Sequence, residues 1–118
     1  MPFTATVEHG PEYLTVQGSG FATLGDLCGL FDLVKVTSDR HGHTRALLDL
    51  RRVEIDLSFT DHLALGAHAA SALRSMGCVA SVVDPKFRVG TSEKTAQKMG
   101  LQFRTFTDLD EAVAWLDC

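Results

Sequence analysis

The sequence is poor in the residues that characterise several classes of protein. It has one tryptophan, one tyrosine, three prolines and three cysteines among 118 residues. The cysteines, Cys28, Cys78 and Cys118, have no short spacing typical of a zinc or redox motif, and their odd number argues against a disulfide framework. Hydrophobic residues at 45% and charged residues at 22% argue against disorder.

Basic residues are outnumbered, with 11 Lys and Arg against 15 Asp and Glu and a net charge of −4. A mildly acidic chain is a poor general binder of nucleic acid or anionic membranes. The longest uncharged stretches, 13–25 and 62–73, are shorter than the roughly 20 residues that span a bilayer. Because the first residues have no basic start and no apolar block, we expect no signal peptide, no stable membrane insertion and a cytoplasmic location.

Strand and helix patterns alternate along the chain. The length is enough for one core and too short for two ordinary domains, so we predict a single domain over residues 1–118. Two alternating segments joined by a turn predict an antiparallel hairpin, which Gly18-Ser19-Gly20 ends. Two later apolar runs are typical of parallel strands covered on both faces. The predicted strands are 3–7, 13–17, 45–50, 78–83 and 101–106.

Four helices are predicted from apolar periodicity and from capping residues. They cover 21–38, 58–76, 91–100 and a last segment that starts at 107–108. The order predicts an α/β fold with a single mixed sheet, in which parallel β-α units follow the hairpin. Phe59 and Leu63 are predicted to face the sheet, and Gly25 and Gly29 are predicted to allow close packing against it.

Charged residues cluster where ligands gather in parallel sheets, beyond the carboxyl ends of the strands. Asp49, Arg51 and Arg52 are predicted to follow one strand, and helices start nearby at Ser58 and Thr91. The next strand is followed by Asp84, Lys86 and Arg88. The segment 86–104 holds five basic residues against one acid.

This pattern predicts an edge of the sheet that brings Ser58, Arg51 and Asp84 into one neighbourhood. Such an edge would bind an anionic or phosphate-bearing ligand, or a protein partner. The alternative is that surface charges segregate by chance, and that Ser58 is an ordinary N-cap.

Metal and catalytic motifs are not evident. Asp49 and Asp84 both end apolar runs and could hold Mg²⁺, but their spacing is unspecific. His41 and His43 offer two imidazoles without an evident third ligand. There is no nucleophile elbow, no phosphate-binding glycine loop and no Cys-His pair, so we predict no metal, no cofactor and no enzymatic activity.

The order of elements resembles that of the STAS, or anti-anti-sigma-factor-like, superfamily, whose fold is SpoIIAA-like. The resemblance covers nearly the whole chain and is closest to a small bacterial STAS/SEC14-like branch. It rests on the opening hairpin, the strand Ala46-Leu47-Leu48-Asp49-Leu50-Arg51, the helix that begins near Ser58, and the ending. That ending has Phe106 and Asp108, then Glu111-Ala112 and Trp115-Leu116.

The resemblance implies a non-catalytic regulatory domain that binds a protein partner, such as a regulator or a kinase. In anti-anti-sigma factors, a partner kinase phosphorylates a serine at the start of the second major helix. Ser58 occupies a similar place, which makes it the candidate phosphoacceptor, although the segment 55–61 lacks the family's Asp-Ser-Ser-Gly. The resemblance also leaves open a small-molecule or lipid sensor of the SEC14-like type, with a groove between the first helix and the sheet. We further expect a homodimer, because one sheet edge stays open.

Overall fold

Five strands form one mixed sheet in the computed structural model, which describes residues 2–117. The strands lie side by side in chain order; β1 pairs with β2 antiparallel, and all other neighbours pair parallel. This confirms the predicted α/β fold, a mixed sheet with an N-terminal hairpin. The strands are β1 (Thr4–His9), β2 (Leu14–Ala22), β3 (Arg45–Ile55), β4 (Cys78–Val83) and β5 (Phe103–Phe106).

Helices cover the two faces of the sheet unequally. The helices are α1 (Leu24–His41), α2 (Phe59–Ala72), α3 (Thr91–Lys98) and α4 (Leu109–Trp115). Side chains of α1, α2 and α3 pack on one face in the larger core cluster, with Leu48 and Leu50 of β3. α4 packs on the other face, where Ala112 and Leu116 join Leu47 of β3. No helix in residues 2–117 has the length and apolar character needed to cross a membrane.

β2 and β3 are longer than their sequence patterns predict. The glycine run does not end β2, which continues through Gly18-Ser19-Gly20 to Ala22, and β3 continues past Leu50 to Ile55. Gly20 has φ of 99°, a conformation that glycine adopts readily. A Cβ on Gly18 would lie 3.1 Å from Phe3 Cε1, so the missing side chain makes room for the core. The prediction that Arg51 and Arg52 follow a strand is therefore wrong, because both lie within β3.

A bulge in β3 puts two neighbouring arginines on the same face. Gln17 pairs with Asp49 and Ser19 pairs with Arg52, so β3 carries one more residue than β2 between these pairs. A bulge of this kind interrupts the alternation of side chains between the two faces. Leu50 and Val53 are both buried in the larger core, while Arg51 and Arg52 between them are both exposed.

Capping residues place the starts of the two long helices. Thr23 and Asp26 form a capping box at α1, and Ser58 and Asp61 form one at α2, as the sequence predicts. The orientation of α2 differs from the prediction, since Phe59 is 67% exposed and Leu63 is 38% exposed. His62 and Leu65 face the sheet instead.

Close helix packing occurs at a different glycine from the two predicted. Apart from its own helix backbone and chain neighbours, no atom of residues 2–117 lies within 4 Å of a Cβ built on Gly29, and for Gly25 only Thr23 Oγ1 does, at 3.8 Å. The same Cβ on Gly66 would lie 2.5 Å from the Ser92 carbonyl oxygen. Gly66 therefore sets the close approach of α2 to α3, and the prediction for Gly25 and Gly29 is wrong.

Candidate functional site

The first candidate site is the start of α2, three residues after β3 ends. The Ser58 hydroxyl accepts a hydrogen bond from the Asp61 backbone N–H at 3.1 Å, and it lies 3.1 Å from the Thr60 hydroxyl. The Asp61 carboxylate in turn accepts from the Ser58 backbone N–H at 3.3 Å. Ser58 is exposed and precedes Phe59, the most exposed large hydrophobic side chain in residues 2–117. The helix start therefore offers an accessible hydroxyl beside an apolar surface.

The charged residues after β4 are engaged with their own neighbours. Asp84 caps the 3-10 turn Pro85–Phe87, accepting from the Lys86 backbone N–H at 3.1 Å. Lys86 Nζ lies 5.3 Å from the centre of the adjacent Phe87 ring. Thr91, also predicted to belong to this edge, is the first residue of α3.

Arg88 is held by Glu93, the lone acid of the basic segment 86–104. Arg88 Nη2 donates to Glu93 Oε1 at 3.1 Å and to the Thr105 carbonyl oxygen at 3.3 Å. The other Glu93 oxygen accepts from the Thr105 backbone N–H at 2.7 Å. Glu93 is 9% exposed and joins α3 to β5. Glu93 was not among the predicted site residues, although a single acid among five bases was a usable signal.

Asp49, Arg51 and Arg52 come together elsewhere, on the face of the sheet opposite α1, α2 and α3. Arg51 donates to both Asp49 carboxylate oxygens at 2.8 Å. These hydrogen bonds hold the pKa of Asp49 below its ordinary value. The polar partners of Ser58 are Thr60 and Asp61, so the predicted edge is divided among separate clusters.

An apolar cavity lies between the sheet and the three helices α1, α2 and α3. It has a volume of about 50 Å³, and Leu27, Phe31, Leu50 and Phe103 line it together with His62. His62 is 8% exposed, and its Nδ1 is buried without a hydrogen-bond partner among residues 2–117. Burial lowers the pKa of His62, against an opposing influence of Asp61. A groove between the first helix and the sheet was predicted, but His62 was not placed in it, because Phe59 and Leu63 were predicted to form the inward face of α2.

Three imidazoles meet at the end of α1. His9 Nδ1 lies 3.3 Å from His43 Nε2, and the His9 and His41 ring centres are 4.3 Å apart. Burial, with the neighbouring His9 and His41, lowers the pKa of His43. His41 and His43 were predicted as a pair from their spacing, whereas no local spacing connects His9 to them. Within residues 2–117, no three His, Cys, Asp or Glu side chains are placed to hold a metal ion.

We expect acid to destabilise the fold through His43 and His62. The folded-state pKa of each lies below the ordinary 6.5, so the unfolded chain binds protons more readily. The stability that these two neutral histidines contribute to the fold is fully present above pH 6.5. It is lost as the pH falls through that value towards the folded-state pKa values. Thermal unfolding across this range should show a falling Tm. In a His43→Gln, His62→Gln double variant, the Tm should fall less over the same pH range. If the pH dependence of the Tm is the same in this variant, His43 and His62 do not cause the loss of stability in acid.

The comparisons with known proteins agree with this architecture. A family model described as SpoIIAA-like matches residues 13–117. The chain belongs to the SpoIIAA-like family. No curated protein matches the sequence of this SpoIIAA-like chain.

Solved structures share the SpoIIAA-like fold at low sequence identity. An anti-sigma factor antagonist from Mycobacterium paratuberculosis has a TM-score of 0.62 and 16% identity, covering 99% of this chain and 96% of that chain. An uncharacterised DUF3478 protein with a SpoIIAA-like fold, from Shewanella loihica, has a TM-score of 0.57 and 21% identity, with coverage of 97% and 93%. The Bacillus cell fate determinant SpoIIAA in its phosphorylated form has a TM-score of 0.52 and 15% identity, with coverage of 95% and 98%.

Proposed function

We propose that this SpoIIAA-like chain is a cytoplasmic, non-catalytic regulatory domain that binds a protein partner through the start of α2. Ser58 is its phosphoacceptor, and a serine kinase and a regulator are its partners. The observation that carries the proposal is the exposed Ser58 hydroxyl at a helix N-cap beside the exposed Phe59. Two structural relatives support it: one is named an anti-sigma factor antagonist, and another was solved in a phosphorylated form.

A phosphate on Ser58 would change both the charge and the shape of this surface. It adds about −1.5 to −2 charges at neutral pH. The unpaired N–H groups at the start of α2 favour an anion there, while the Asp61 carboxylate, which bonds to the Ser58 N–H at 3.3 Å, repels it. The phosphate therefore displaces the capping box and places a strong charge beside the apolar Phe59. A partner that binds the apolar surface should lose affinity on phosphorylation.

The sharpest test separates the phosphoacceptor role of Ser58 from its capping role. Asparagine is about as good an N-cap as serine but has no hydroxyl, whereas alanine costs about 1 kcal/mol as a cap. We expect intact-protein and peptide mass spectrometry to find phosphate on Ser58 in protein isolated from its own cells. Ser58→Asn should keep the Tm and lose the phosphate.

The matched control is Ser71→Ala, which removes an exposed hydroxyl from the same helix. This variant should keep the phosphate on Ser58. If Ser58 carries no phosphate, and Ser58→Asn cells regulate as wild-type cells do, Ser58 serves only as an N-cap. The proposed phosphorylation switch at Ser58 is then wrong.

The cavity beneath α2 supports a second candidate function, a sensor of a small apolar ligand with one polar group. The Nδ1 of His62, which has no hydrogen-bond partner in the described residues 2–117, would bind that group. A volume of about 50 Å³ holds only one or two water molecules, so a lipid chain would need α1 or α2 to move away from the sheet. Native mass spectrometry tests this candidate, since a co-purified ligand would favour it over a protein-binding role.

A further inference from the structure

The face of the sheet on which α4 packs carries, along β1, β2 and β3, a groove of about 380 Å³, here called the polar groove. Hydroxyl and amide side chains of β1 and β2 form one wall, and charged side chains of β3 form the other. Known small-molecule pockets have volumes of about 300–1,000 Å³, so the polar groove is large enough for a small ligand.

The register of the strands arranges this lining in two rows. Thr6 pairs with Gln17, which pairs with Asp49. In the next row, Thr4 pairs with Ser19, which pairs with Arg52. The Thr4 and Ser19 hydroxyls are 3.0 Å apart. Each row therefore runs from neutral hydrogen-bonding groups on β1 and β2 to a charged group on β3.

The bulge in β3 supplies the positive charge of the polar groove. It leaves the Arg51 backbone N–H facing the Asp49 carboxylate, which accepts from it at 3.3 Å and from the Arg51 guanidinium at 2.8 Å. Arg52 takes no part in any ion pair or side-chain hydrogen bond within residues 2–117. With Asp49 balancing Arg51, the charge of Arg52 is left for a ligand.

We propose that the polar groove binds a small hydroxylated anion, a sugar phosphate or a sugar carboxylate. Its anionic group binds the Arg52 guanidinium, which matches phosphate and carboxylate geometry. Its hydroxyls bind Thr4, Thr6, Gln17 and Ser19. This site is independent of the proposed switch, because Ser58 begins a helix on the other face of the sheet.

Isothermal titration and NMR chemical-shift mapping of the whole chain test this proposal. The probes are ribose 5-phosphate, glucuronate, inorganic phosphate and neutral ribose, each at millimolar concentration and low salt. We expect ribose 5-phosphate or glucuronate to bind and to shift amide signals of β1, β2 and β3. Whichever of these two probes binds more tightly identifies the anionic group that the polar groove prefers. Inorganic phosphate and ribose should both bind more weakly than either of them.

Three variants make the test specific to the polar groove. Arg52→Gln should weaken binding by about tenfold or more, because it removes a charge-assisted hydrogen bond. Asp49→Asn should strengthen binding, because it releases the positive charge of Arg51. A Thr4→Val, Thr6→Val double variant should bind the sugar probes more weakly and should bind inorganic phosphate with unchanged affinity.

The control is Arg74→Gln, which removes an exposed arginine outside the polar groove and should bind as wild type does. Absence of binding by every probe would overturn the proposal, as would equal affinities for Arg52→Gln and Arg74→Gln. Dimerisation that buries this face and is abolished by Arg52→Gln would also overturn it, since a second copy would then be the occupant.

Discussion

Replacing Gly66 by alanine should destabilise the protein by about 2 kcal/mol, although alanine usually favours a helix interior by about 1 kcal/mol over glycine. The added Cβ would lie 2.5 Å from the Ser92 carbonyl oxygen and 2.7 Å from Thr95 Cβ. The nearest atom belongs to the backbone of α3, so no flexible side chain can move away to relieve the contact. α3 must shift from α2, and the Tm should fall by about 5 °C or more.

Gly29→Ala provides the matched control for this substitution. Gly29 is exposed in α1, and in the part of the chain that the structure describes the added Cβ has no neighbour within 4 Å besides its own helix, so the same change there should raise stability by up to about 1 kcal/mol. Chemical denaturation of both variants measures the two changes in the free energy of unfolding. If both variants were stabilised, the conclusion that the close approach of α2 to α3 requires glycine at position 66 would be wrong.

Glu93→Ala should destabilise the protein by about 2–3 kcal/mol, because it removes hydrogen bonds to a buried charged group. The Thr105 backbone N–H would lose its acceptor at 2.7 Å, and Arg88 would lose its ion-pair partner at 3.1 Å. Together these bonds tie α3 to β5. Chemical denaturation and hydrogen exchange at Thr105 measure the effect.

Glu93→Gln distinguishes the loss of charge from the loss of the acceptor. Its amide oxygen can still accept from the Thr105 N–H, so we expect a smaller loss than for alanine. The neighbouring Lys94→Ala is the surface control, because Lys94 is exposed. A Glu93→Ala variant as stable as Lys94→Ala would show that the link between α3 and β5 contributes nothing.

The fold was predictable because its signals are local and repeated. The apolar runs that became β3 and β4 are covered on both faces, and capping boxes at Thr23 and Ser58 start α1 and α2. The ends of the strands were less predictable. Consecutive arginines after Leu50 are typical of the start of a loop, yet β3 can carry them beyond the part that α4 covers.

The candidate sites were less predictable than the fold, because they depend on contacts between distant parts of the chain. The Ser58 cap was recognisable from a spacing of three residues. The contact of His9 with His43 spans 34 residues and follows no periodicity. The orientation of α2 was misjudged because Phe59 and Leu63 are hydrophobic and His62 is not, whereas the packing against the sheet buries His62.

The extra residue in β3 has an evolutionary consequence. Deleting Arg51 or Arg52 would restore strict alternation beyond Leu50 and leave a single arginine on this side of the strand. A one-codon insertion or deletion is thus sufficient to create or abolish the double-arginine surface while the sheet order stays the same. Descendants of a common ancestor can therefore differ in small-molecule recognition through an event that substitution-based comparison overlooks.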